Sequence, residues 1–129
     1  MTLRELINRS LRLLGVIQAG ETPAESETSD AIPAVNGMLE AWRTMGIDLE
    51  FLPFTTLDDV IPYPEDHLSA FAYNLAIELA PEYGVEPSTA VGARAGSYFR
   101  ALQAQYADPD ILTIDPQLTP GYNTNSWFL

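Results

Sequence analysis

Apolar positions recur along this chain with the period of a helix. Leu3, Ile7, Leu11 and Leu14, with Leu6 and Ser10, fall on one face, while Arg4, Glu5, Asn8, Arg9 and Arg12 take the rest. The pattern predicts an amphipathic first helix from about Leu3 to Leu14. Thr2 and Glu5 have the spacing of a capping box, and Gly15 is a natural stop. Glu5 and Arg9 lie one turn apart and are expected to form a modest solvent pair. Val16 to Glu25, with Gly20 and Pro23, reads as a loop. A second helix starts between Ser26 and Asp30, where Ser26, Thr28, Ser29 and Asp30 all offer capping oxygens and Pro33 suits a first turn. Its stripe is Val35, Met38, Leu39, Trp42 and Met45, and Gly46 ends it.

Ile47 to Pro62 reads as extended. Phe51 to Phe54, Thr55 to Leu57, a turn at Asp58 and Asp59, and Val60 with Ile61 allow a short hairpin. A third helix runs from near Pro64 to Tyr83 and Gly84. Leu68, Phe71, Ala72, Leu75, Leu79 and Tyr83 make its main stripe, yet Ala70, Tyr73, Ile77 and Ala80 on the other side are hardly polar. A helix apolar over most of its circumference is covered from several directions, so it is either the central helix or one that faces a neighbouring subunit. A fourth helix runs from Pro87 and Ser88 to about Tyr106, with Val91, Ala95, Tyr98, Phe99, Leu102 and Tyr106 on its stripe. Gly92 and Gly96, one turn apart, leave a flat patch where another backbone can approach. Beyond Tyr106, Pro109, Pro116, Pro120 and Gly121 break any regular element. The expected fold is all-α: a small four-helix domain over residues 1–106 with extended loops, and an extended, non-helical C-terminal tail over 107–129. Its core should include Leu6, Leu14, Leu39, Trp42, Leu75, Leu79, Phe99 and Leu102.

Composition narrows the picture. The 129 residues suit one domain, and the 47% of hydrophobic residues suits a folded one. No apolar run is long enough to span a bilayer. The start, Met1 to Glu5, does not read as a signal peptide, because Arg9 and Arg12 interrupt the apolar stretch that follows. The absence of cysteine rules out disulfides and thiolate metal sites and suits a reducing cytoplasm. The net charge is −12, and every basic residue is an arginine. Affinity for nucleic acid comes largely from neutralised phosphates, so a chain this acidic should not grip DNA over a broad surface. The charge serves solubility, or it lets a surface lie near DNA without sticking to it.

No residue pattern carries catalysis. There is no phosphate loop, dinucleotide fingerprint or zinc-protease helix. The single histidine, His67, stands beside Glu65 and Asp66 without companions for general base or ligand work, and is expected to be a surface or cap residue. Asp58, Asp59, Glu65 and Asp66 match no calcium loop, and turn formation is the commoner role of such aspartates. No catalytic, cofactor-binding or metal-binding residue is therefore assigned. Arg4, Arg9 and Arg12 on the first helix can face a partner's acidic surface or DNA, or serve as ordinary solvated charges. The chain ends on Trp127, Phe128 and Leu129. Such a terminus either folds back on its own core or docks into a partner, with Trp127 as the anchor type enriched at hot spots.

Several segments together resemble a known family. These are Leu6 to Val16 (LINRSLRLLGV), Gly20 to Pro23 (GETP), Val35 to Trp42 (VNGMLEAW) with Gly46 and Ile47, and Leu75 to Gly84 (LAIELAPEYG). The order is similar to the head-to-tail adaptor proteins of tailed bacteriophages, also called head-completion or packaged-DNA-stabilisation proteins, and covers residues 2 to 105. The tail beyond Tyr106 departs from the family in length and composition. The resemblance implies a structural virion protein in the neck between head and tail, assembled in the host cytoplasm and not an enzyme. It implies a ring of copies, usually twelvefold like the portal protein above it, that extends the DNA channel, retains packaged DNA and offers a platform to tail proteins. DNA would pass an acidic lumen without sequence-specific binding, and no membrane or cofactor is involved. The alternatives are a peptidoglycan hydrolase carried by a virion and a monomeric helical regulator.

Overall fold

A computed structural model of the chain describes residues 1–50 and 53–107. It is all-α, with helices α1 (Leu3–Leu14), α2 (Glu25–Asp30), α3 (Ile32–Thr44), α4 (Glu65–Tyr83) and α5 (Thr89–Gln105). Four are the long helices that the periodicity predicts. The second is divided: α2 has six residues and hands over to α3 at Ala31, which is both the C-cap of one and the N-cap of the other. Neither start has a side-chain cap, so none of the four capping oxygens read from the sequence serves. Pro33 in the first turn of α3 does fit, because a missing N–H costs nothing there.

Termination signals are local and clear. The Thr2 hydroxyl accepts from the Glu5 backbone N–H while the Glu5 carboxylate accepts from the Thr2 N–H, completing the capping box of α1. That engages Glu5, and Arg9 turns instead to Ser69, correcting the expected Glu5–Arg9 pair. Gly15 and Gly84 end α1 and α4 at φ 78° and 65°, left-handed conformations that cost a side chain little only when there is none. Ser88 caps α5 by accepting from the Val91 N–H.

The core forms around α4. Leu68, Ala70, Phe71, Ala72, Leu75, Ala76, Leu79 and Ala80 are all buried, because α1, α3 and α5 each pack on this helix. The helix apolar on most of its circumference is thus the central one. Ser10 joins the first seam by donating to the Ala72 carbonyl at 2.9 Å. Asn74 bridges the α4–α5 seam by donating to the carbonyl of Ala95 at 3.0 Å. Of the expected core, Leu6, Leu39, Trp42, Leu75, Leu79 and Leu102 are buried, whereas Leu14 and Phe99 lie half-buried against its edge. Met45 is 52% exposed, because α3 stops at Thr44 and its last stripe position falls beyond the packed turns.

The described residues of the connection from α3 to α4 form no hairpin with one another. Among the described residues there is a single bridge, between Thr2 and Val60. Residues 57–61 pair with the N-terminus instead: Leu3 and Arg4 donate to the carbonyls of Asp59 and Leu57, and Ile61 donates to that of Met1. Asn36 holds the preceding stretch by exchanging two hydrogen bonds with the backbone of Phe54, at 3.0 and 2.8 Å. Asp59 closes the turn, accepting from the backbone N–H groups of Thr55 and Thr56. No helix among the described residues is long and apolar enough to cross a membrane.

Candidate functional site

His67 corrects the sequence reading most plainly. It is fully buried, not a surface or cap side chain. Its Nδ1 lies 2.8 Å from the Asp66 carboxylate and its Nε2 lies 2.7 Å from the Tyr106 hydroxyl. Both ring nitrogens are therefore engaged by the protein, and the carboxylate contact orients the ring. Phe71 packs edge-on against it, and Phe71 also meets Tyr63 and Trp42, which in turn meets Phe99. The histidine is thus one member of an aromatic cluster joining α3, α4 and the end of α5. Burial pushes the Tyr106 and Tyr63 hydroxyls above their ordinary range.

The three arginines of α1 do not form one patch. Arg4 reaches Asp58 at 3.3 Å and Glu25 at 3.6 Å, tying α1 to the turn and to α2. Arg9 donates to Ser69 and lies 5.9 Å from the centre of the Tyr73 ring, which meets the Tyr98 ring at a tilt, their centres 5.4 Å apart. That arrangement gives a half-buried strip of Arg9, Tyr73 and Tyr98 across α1, α4 and α5. Arg12 alone is exposed without a partner among the described residues. Helical rotation explains the dispersal, since positions 4, 9 and 12 point in different directions around the axis.

The glycine patch on α5 is half covered. A side chain at Gly92 would meet open space, but at Gly96 it would meet the Arg100 guanidinium at 3.3 Å. The flat surface at Gly96 accommodates this chain's own arginine. Trp127, Phe128 and Leu129 lie outside the described residues.

One surface was not foreseen. An open pocket of about 260 Å3 between α2 and the end of α4 is lined by Glu27, Asp30, Ala31, Leu79, Glu82 and Tyr83. The Tyr83 hydroxyl is pushed above its ordinary range by burial first, and then by the charges of Glu27, Glu82 and Asp30. Only Glu27 and Asp30, three apart on a short helix, were juxtaposed in the sequence. Glu82 joins them only once α2 lies beside the end of α4. Among the described residues no group of three or more histidine or carboxylate side chains has the placement to hold a metal ion.

No protein-family model matches the chain, and no curated protein matches it.

Proposed function

We propose that this chain is a structural subunit of a tailed-phage neck: a head-to-tail adaptor that assembles as a ring beneath the portal and is not an enzyme. The observation that carries the reading is the ordered set of adaptor-like segments at 6–16, 20–23, 35–42 with 46–47, and 75–84. The first, third and fourth of these lie on α1, α3 and α4, the helices that build the core, so the resemblance concerns the framework. In the ring, acidic side chains would outnumber basic ones along the channel, repel phosphate and let DNA pass. The segment 107–129 is proposed to contact a neighbouring copy or the portal, with Trp127, Phe128 and Leu129 as anchors, each worth roughly 1.5–3 kcal/mol if fully buried.

The hydrolase alternative draws no support from the carboxyls whose ionisation the fold moves. A glycosidase acid has its pKa raised, whereas hydrogen bonds from Thr2 lower that of Glu5, and those from Thr55 and Thr56 lower that of Asp59. Cosedimentation of the full chain with the portal of the phage that encodes it tests the reading. Binding to portal, lost on deletion of residues 108–129 with the melting temperature unchanged, is expected. Failure to bind portal, or muramidase activity in the purified chain, argues against the adaptor. A large fall in melting temperature on deletion, with binding kept at low temperature, would assign the tail to the chain's own core.

A further inference from the structure

The end of α5 is held by few contacts. Val91, Ala95 and Leu102 are the buried residues of this helix, and among residues 103–107 only Tyr106 is not exposed. Gln103 adds one exposed hydrogen bond, from its side-chain amide to the Met45 carbonyl at 3.3 Å. The Tyr106 ring meets His67 edge-on, their centres 5.5 Å apart, and its hydroxyl lies 2.7 Å from Nε2. One phenol thus ties the last turn of α5 to the first turn of α4.

The direction of each bond in this set follows from donor and acceptor chemistry. The Asp66 side chain is exposed, and an ionised carboxylate only accepts. His67 Nδ1, 2.8 Å away, therefore carries a hydrogen. In the neutral ring Nε2 is then left as an acceptor, and the Tyr106 hydroxyl is its donor. Burial first, and then the charge of Asp66, push the ionisation of that hydroxyl above its ordinary range, so it keeps the hydrogen it donates. The imidazole is fully buried. Loss of the Tyr106 donor leaves Nε2 unsatisfied until the last turn moves aside and admits water.

We propose that His67 and Tyr106 form a latch: Asp66 fixes His67 as its Nδ1–H tautomer, and release of Tyr106 from Nε2 frees residues 103–107 while the rest of the domain stays folded. Elements of low local stability open in this way, without global unfolding. Opening adds residues 103–107 to the segment 108–129, which the adaptor reading brings to a neighbouring copy or the portal. The latch itself goes beyond that reading and is measured on the free chain.

NMR of the full chain tests this, and His67, the chain's one histidine, gives an unambiguous signal. The ring nitrogen shifts of the neutral imidazole show hydrogen on Nδ1 and none on Nε2. Amide hydrogen exchange at residues 103–107 is faster than in the buried stretch of α4 from Phe71 to Leu79, and Tyr106→Phe speeds it by about tenfold or more. Asp66→Ala, at an exposed position, removes the group that fixes the tautomer, and hydrogen appears on Nε2 in part of the population. A wild-type ring with its hydrogen on Nε2 would overturn the proposal. So would amides at 103–107 as protected as those of the α4 core, exchange there unmoved by Tyr106→Phe, or a tautomer unmoved by Asp66→Ala. None of these measurements involves portal, so failure of the latch leaves the adaptor reading standing, and failure to bind portal leaves the latch.

Discussion

His67 shows how a single position can mislead when read from its neighbours in sequence. Glu65 and Asp66 mark a solvated first turn, and both are exposed, but the next position turns inward and meets Tyr106, 39 residues away. No local signal announces that pairing. Tyr106→Phe leaves the buried Nε2 without its partner and is expected to destabilise the fold by about 1–3 kcal/mol, measured by denaturant unfolding. An unchanged midpoint would mean that the bond contributes nothing. The opposite case is Thr2, whose role is legible from spacing alone. Thr2→Ala removes a cap and should cost ~1 kcal/mol. Acid adds a check on the same scale. The Glu5 and Asp59 carboxyls titrate below their ordinary values in the fold, because backbone N–H groups donate to the ionised forms. Their stabilisation is complete above the unfolded values, near pH 4, and is lost as pH falls through the lower folded values. Asp59→Asn should therefore flatten the loss of stability in that acid window, and an unaltered pH profile would contradict the assignment.

At the scale of elements, what could be read depended on whether the signal was local. Helix periodicity, the glycine stops after α1 and α4, and the central role of α4 follow from side-chain spacing within single segments. The break at Ala31 and the path of residues 53–63 do not. That path is set by backbone bonds to Met1, Leu3 and Arg4 and by the Asn36 clamp on Phe54, contacts that span 18 to more than 50 positions. The extended stretch from Phe51 to Ile61 allows a short hairpin in sequence, but for residues 57–61 the N-terminus supplies the pairing partner. The carboxylate pocket was hidden for a related reason, since α2 and the end of α4 contribute to it separately. Two substitutions test the element account. Gly84→Ala places a side chain at φ 65° and should cost about 1 kcal/mol, although nothing lies within 4 Å to clash with it. Leu75→Ala opens a cavity at a fully buried position of α4 and should cost about 2–5 kcal/mol by thermal or denaturant unfolding. A smaller loss at Leu75 than at Gly84 would contradict α4 as the centre of the core.

For the whole molecule, charge is the property that bears most directly on the proposed assembly. The chain is strongly acidic, and of its six arginines Arg4, Arg9 and Arg43 are engaged within the fold. A surface of this kind suits a channel that DNA crosses without being held by its walls, and tight, salt-sensitive binding of duplex DNA to the purified chain would contradict it. Trp127, Phe128 and Leu129 are the residues through which the chain is proposed to meet a neighbouring copy or the portal. The most direct measurement of the central claim is a reconstruction of the neck in virions of the phage that encodes this chain. The adaptor account predicts a ring beneath the portal into which the α1 to α5 domain fits, with acidic side chains outnumbering arginines along the channel. Virions whose neck contains no density for this domain would contradict it.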